Sequence, residues 1–174
     1  MKLDRSHIGI TWRVALSRIF YATRKTLKPV IIVRGDDPLK LHKMQRYFLS
    51  RSIVIIRLGV ACSVIDMYSE ILLQMSKDKF RHKRDDINGI VHNIVLKAKS
   101  GRSNYSIIID NCHYILPSQL FRLLGLANEL EGKARFFLFF TERNFEKWHK
   151  GKNSKDNRFK YFLNCVGHKY EVSL

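Results

Sequence analysis

The sequence predicts an α/β chain, a three-layer α/β/α sandwich around a mainly parallel, five-stranded sheet. Three observations carry that prediction. Short runs rich in β-branched residues recur along the chain, amphipathic helical stretches separate them, and the runs are apolar throughout rather than alternating. A strand that is apolar at every position is covered on both faces, as in a parallel sheet between two helical layers. Right-handed crossovers then place the helices. With 174 residues, the chain is one domain of ordinary size, long enough to bury a core.

The elements follow in order. Residues 1–28 are basic, and Ile8, Trp12, Ala15, Ile19 and Phe20 recur at helical spacing, so a basic amphipathic N-terminal helix is expected. The single domain occupies 29–174. "PVIIVRG", 29–35, is a strand that stops at Gly35. Residues 39–51 are helical, with Leu41, Met44 and Phe48 on one face, and "IVIIRL", 53–58, is the second strand. A helix over 63–76 turns Ile65, Tyr68, Leu72 and Met75 inward. The charged linker "KDKFRHKRDD", 77–86, leads to a helix whose inner face is Ile87, Ile90, Val91, Ile94, Val95 and Ala98, ended by Gly101.

"YSIIID", 105–110, is the third strand, and Pro117 suits the first turn of a helix that Gly132 closes. "ARFFLFFT", 134–141, is the fourth strand. "KWHKGKNSKDNRFK", 147–160, reads as a basic, polar loop leading into a helix that ends near Gly167. Tyr170, Val172 and Leu174 alternate with polar residues, which gives the last strand one wet face.

Charge and cysteine content bound the function. Lys and Arg outnumber Asp and Glu 32 to 15, for a formal charge of +17. That excess points to a polyanionic partner, nucleic acid before a membrane surface. Cys62, Cys112 and Cys165 are widely spaced and odd in number, with no C-x-x-C pair. Neither a zinc site nor a disulfide framework is indicated, and a reducing cytoplasm fits. No apolar run approaches the ~18 residues that a membrane span needs.

Ligands of a parallel sheet bind at the carboxyl ends of its strands. That rule selects three places. The first is "RGDDPLKLHKM", 34–44. A phosphate loop has the pattern G-x-x-x-x-G-K-[ST], whose small residues let backbone N–H groups wrap phosphates while the Lys and hydroxyl serve the γ-phosphate and Mg²⁺. With Gly35 at the first position, Lys40 replaces the second Gly, Leu41 the Lys, and His42 the Ser/Thr. Lys40 and Lys43 still stand near a helix N-terminus, an anion site in principle.

The second place is "IIIDNCHYI", 107–115. Asp110 stands where a ligand of Mg²⁺ or its water would stand, and Asn111 where a carboxylate would polarise the attacking water. Asn accepts no proton at neutral pH. The plainer reading has both residues bonding to loop backbone. In the third place, "FFTERN", Thr141 and Asn144 end the fourth strand, where a polar side chain would meet a γ-phosphate.

The order of these three places, with "LLGLANELEGKARFFLFFTERNFEKW" between and after them, resembles the AAA+ ATPase core of the Orc/DEAH-like subgroup. It is most like the target-selecting ATPases of transposable elements, of the phage Mu B type. Their third strand typically continues Asp-Glu-Ala-[His/Gln]-x-[Leu/Ile]; Asp110, Cys112, His113 and Ile115 follow that pattern and Asn111 departs from it. The resemblance implies spatial strand order 5-1-4-3-2, ATP-gated DNA binding, and contact with a transposase or an AAA+ partner subunit. Three departures qualify it. The loop lacks its Lys and Ser/Thr, the catalytic Glu is Asn111, and the sequence ends at the fifth strand, before the helical lid. The site is therefore expected to be a relic with degenerate Walker A and Walker B motifs and no hydrolysis, no required cofactor, and at best weak nucleotide binding near Gly35.

Three basic clusters remain as partner surfaces: 13–28, 79–84 and 147–160. Arg81, Lys83 and Arg84 lie in the second. Lys147, Trp148, Lys150, Lys152, Lys155 and Arg158 lie in the third, where aromatics among cations suit unpaired bases. A core position is the competing fate of Trp148. Three functions follow from these features: an inactive AAA+-like protein that binds nucleic acid, DNA before RNA, or regulates a DNA-transaction complex; an ATP-binding protein with an unorthodox loop; and a protein-interaction module for an acidic partner.

Overall fold

The computed structural model describes residues 30–35, 52–76, 86–101, 104–130, 132–150, 155–166 and, as backbone, 169–171. The expected helices at 1–28 and 39–51 lie outside these residues, as does most of the linker at 77–86.

The sheet is parallel wherever its strands pair. Strands β1 (Val30–Arg34), β2 (Ser52–Arg57), β3 (Tyr105–Asp110) and β4 (Ala134–Phe140) form its body, in the order β2-β3-β4-β1. A short fifth segment, β5 (Lys169–Glu171), pairs with β1 at the far edge. The order matches the one implied by the family resemblance, read from the opposite edge. Register is set by the apolar runs: Val30 faces Phe136, and Ile107 faces both Val54 and Phe136.

Alternation along these strands divides their side chains between two faces. Ile32, Val54, Ile56, Ile107, Ile109, Phe136, Leu138 and Phe140 join one cluster with the helices. Ile31, Val33, Ile108, Phe137 and Phe139 point the other way and are also buried. Two buried faces explain why the strands carry no polar alternation.

Five helices surround the described core. Helix α1 (Val64–Ser76) begins with a reciprocal cap: Ser63 N donates to Asp66 Oδ2 at 3.0 Å and Asp66 N to Ser63 Oγ at 3.1 Å. It buries Met67, Tyr68, Ile71, Leu72 and Met75. Ile65, expected inward, is 48% exposed. A stripe centred on Tyr68 and Leu72 takes Ile71 inward and leaves Ile65 on its outer flank. Helix α2 (Ile87–Ser100) starts on Asp86, whose carboxylate accepts from Gly89 N at 2.7 Å, and buries Ile90, Ile94 and Ala98.

Helix α3 (Pro117–Glu129) has Pro in its first turn, and Gly132, at φ 75°, turns the chain into β4. Helices α4 (Glu142–Lys150) and α5 (Asn157–Cys165) follow. Helix α4 corrects the loop expected from 147. Thr141 Oγ1 accepts from Asn144 N at 3.2 Å as its N-cap, and Phe145 and Trp148, one turn apart, are both buried.

Candidate functional site

Because β3, β4 and β1 are neighbours, the three strand ends chosen from the sequence lie side by side on one edge of the sheet. Gly35 N donates to the Phe140 carbonyl at 3.1 Å, which fastens the end of β1 to the end of β4. Thr141 follows directly, and its hydroxyl and Asn144's backbone N–H are joined in the α4 cap.

On β3, Asp110 is buried, and its backbone oxygen accepts from Leu58 N at 3.2 Å. Asn111 is in the left-handed region, φ 59° and ψ 37°. Its Nδ2 donates to the Leu58 carbonyl at 3.3 Å, across to the strand beyond. A 3₁₀ turn over Cys112–Tyr114 continues the reversal, and Cys112 Sγ donates to the Ile109 carbonyl at 2.9 Å. Asn is among the few non-glycine residues that adopt this backbone readily. Its place here is explained by local conformation as well as by any chemistry.

Two residues within the selected stretches were not singled out from the sequence as site residues. Arg34, the last residue of β1, lies 3.6 Å from the Glu142 carboxylate at the start of α4. Its guanidinium carbon is 4.6 Å from the centre of the Phe145 ring. A cation held between a carboxylate and a ring face is partly desolvated and fixed in direction. Their adjacency to Gly35 and Thr141 was the available signal.

The basic cluster is divided between a helix, a link and a second helix. Lys147 and Lys150 are exposed on α4, Lys155 precedes α5, and Arg158 and Lys160 are exposed on α5. Lys150 pairs with Glu146, whose carboxyl it holds below the usual range. Arg158 grips Asp156 through Nε–Oδ1 at 3.1 Å and Nη2–Oδ2 at 2.8 Å. Those hydrogen bonds draw the Asp156 carboxyl down to about 2. Lys40, Lys43, Arg81, Lys83, Arg84 and Lys152 lie outside the described residues.

Trp148 is a core anchor, which corrects its assignment as a base-stacking residue. Only 4% of it is exposed. Its ring lies 4.6 Å from that of Phe140 and meets Phe159 edge-on at the same distance, while Nε1 points toward the Ile115 carbonyl. Phe140, Phe145, Trp148 and Phe159 thus tie α4 and α5 to the end of β4.

The whole fold has counterparts among solved structures, although no family model and no curated protein matches the sequence. The Aeropyrum pernix ORC2 protein, solved with ADPNP and ADP, superposes with a TM-score of 0.68 at 14% identity, over 98% of this chain and 50% of that one. Cdc6p from Pyrobaculum aerophilum gives 0.63 at 12% identity, over 91% of this chain and 43% of that one. The Aeropyrum pernix ORC1 protein in complex with DNA gives 0.58 at 13% identity, over 95% of this chain and 45% of that one.

The chain shares its fold with these ORC and Cdc6 structures. It spans half the length, or less, of these structures. At such identities the likeness establishes the fold alone. Gly35, Asp110, Asn111, Thr141 and Asn144 occupy the carboxyl edge of the sheet, where ligands of parallel sheets bind. Among the described residues, no cluster of three or more His, Cys, Asp or Glu is placed to hold a metal. No helix among them is long and apolar enough to cross a membrane.

Proposed function

We propose that this chain is a catalytically inactive AAA+-like protein that binds DNA or regulates a complex acting on DNA. The observation that carries the inactive half is Asn111. By the family resemblance it stands in place of the water-polarising carboxylate, and its amide donates to the Leu58 carbonyl. Two neighbours support the same conclusion. The Gly35 N–H at the end of β1 is bonded to the Phe140 carbonyl. The nearby Arg34 cation is compensated by Glu142. These features support a chain that does not hydrolyse Mg²⁺–ATP.

The DNA half is supported by the net charge of +17 and by the fold, which is also that of ORC proteins solved with bound DNA. The likeness of the third and fourth strands to target-selecting ATPases of transposable elements makes a transposase or an active AAA+ subunit the protein partner to test. A second reading, retained nucleotide binding without turnover, is favoured by one observation. The same fold in the Aeropyrum pernix ORC2 protein is solved with ADPNP and ADP.

The decisive experiment pairs two titrations on the intact chain. Calorimetry with ATP, with and without Mg²⁺, is expected to give no binding or weak, Mg²⁺-independent binding. Anisotropy with labelled DNA is expected to give binding that weakens steeply with salt. Tight ATP binding abolished by Asp110→Ala would replace the inactive reading with a working nucleotide site. Absence of DNA binding at low salt would leave the interaction-module reading.

A further inference from the structure

We propose that Phe121 and Tyr161 form an exposed stacking platform for single-stranded DNA. The inference rests on the DNA reading above and gives it a surface. Phe121 is 47% exposed on α3 and Tyr161 is 54% exposed on α5. Their ring centres are 5.9 Å apart, with the planes tilted by 51°. The two helices pack side by side, so the pair belongs to one face formed from residues forty positions apart in sequence.

Three features make this face suited to bases. Each ring has an exposed cation as its chain neighbour, Arg122 beside Phe121 and Lys160 beside Tyr161. Gly125, one helical turn beyond Phe121, leaves open space where a side chain would stand. That open position one turn from Phe121 leaves room for a flat group beside the pair. Finally, the burial of Trp148 removes the aromatic that the sequence offered for stacking, whereas this pair presents its rings to solvent.

Single-stranded binding surfaces combine such rings with cations that follow the backbone, because every base has a stacking face. Duplex DNA hides those faces within its own stack. A protein partner fits less well, since cores of protein interfaces are depleted of charge and each ring has an exposed cation as its chain neighbour.

The test uses the intact chain and three probes: an oligothymidine of about 20 nucleotides, the same backbone with abasic sites, and a duplex of equal length. Phe121→Ala with Tyr161→Ala is expected to weaken oligothymidine binding about tenfold or more, and to leave the abasic and duplex affinities within about twofold. The ring-preserving exchange Phe121→Tyr with Tyr161→Phe is expected to keep parental affinity on all three. Circular dichroism of each variant checks that the helices are retained. Unchanged oligothymidine binding by the alanine variant would overturn the platform, as would an equal loss on all three probes. Loss of self-association in sedimentation, with DNA binding intact, would overturn it in favour of a protein interface. A parent chain that binds none of the probes would remove the DNA reading itself.

Discussion

The side-chain amide of Asn111 donates to the carbonyl of Leu58 at 3.3 Å, and this bond links the end of β3 to the residue just beyond β2. It gives Asn111 a structural task at the position where the proposed reading places an ATPase's lost carboxylate. Asn111→Glu should therefore fail to create hydrolysis. It removes the donor, sets a carboxylate near a carbonyl oxygen, and asks a less suitable residue to hold φ 59°. A loss of about 1–2 kcal/mol is expected in urea unfolding. Asn111→Gly keeps the backbone conformation and should cost less than Asn111→Glu. Phosphate release above background from Asn111→Glu would refute the assignment.

Gln74 protects an edge. β2 is an outer strand of the sheet, and the amide of Gln74 on α1 both accepts from Ile55 N and donates to Ile55 O, each at 2.8 Å. It pairs with one residue of the strand much as a neighbouring strand would. Gln74→Ala leaves both groups without that partner, at a cost of about 1–3 kcal/mol. An opened edge also invites pairing between copies. Lower urea midpoints and greater light scattering on concentration are the expected results.

Trp148 should behave as a core residue. Trp148→Ala should destabilise by about 3–5 kcal/mol, and Trp148→Phe by distinctly less, because Phe retains a ring among Phe140, Phe145 and Phe159. In a Trp12→Phe background, Trp148 emission should change little when oligothymidine binds. Strong quenching would return it to the binding surface.

The strands were legible because a covered parallel sheet writes itself as unbroken apolar runs, and β1, β3 and β4 begin within a residue of their expected starts. Helix α4 was not. "ERNFEKWHK" buries only Phe145 and Trp148, so its apolar signal is two residues in a charged background. A cap at Thr141 and a turn-spaced aromatic pair define it, and both are clearer once β4 is placed. The Phe121–Tyr161 pair was illegible for another reason. Contact between distant segments follows from how α3 and α5 pack, which neither segment encodes alone. The Arg34–Glu142 pair likewise joins two strand ends that only the sheet order makes neighbours.

Acid should act on α5 through Asp156. Its carboxyl sits at about 2 in the folded chain against an ordinary 3.8, chiefly through its hydrogen bonds to Arg158. A depressed carboxyl stabilises the fold above the unfolded value and loses that contribution as pH falls through the folded value. The window is therefore from about 4 down to about 2. Asp156→Asn keeps a side chain able to cap the helix and removes the titration. Its melting temperature should lie below the parent's at pH 6, and the gap should shrink as pH falls to about 2. A constant gap would mean that Arg158 does not hold the carboxylate in solution.

Charge pairing within the basic cluster should set how much each cation gives to DNA. Lys150 is engaged with Glu146 on the same helix, and Arg158 with Asp156, whereas Lys155 and Lys160 have no described ion pair. A cation already compensated contributes less to a polyanion, because its partner carboxylate repels the same phosphates. Lys160→Ala should therefore weaken DNA binding more than Lys150→Ala, and should lower the slope of log affinity against log salt by roughly one contact. Glu146→Gln should act in the opposite sense. It removes a negative charge, frees Lys150, and should strengthen binding by about twofold to fivefold at low salt, with the gain fading as salt rises. Reversing Lys150, Lys152 and Lys155 to Glu should also cost more than reversing Arg81, Lys83 and Arg84, although both triplets change the net charge equally. Equal losses from the two triplets, together with no effect of Glu146→Gln, would mean diffuse attraction to the whole chain and no site on α4 and α5.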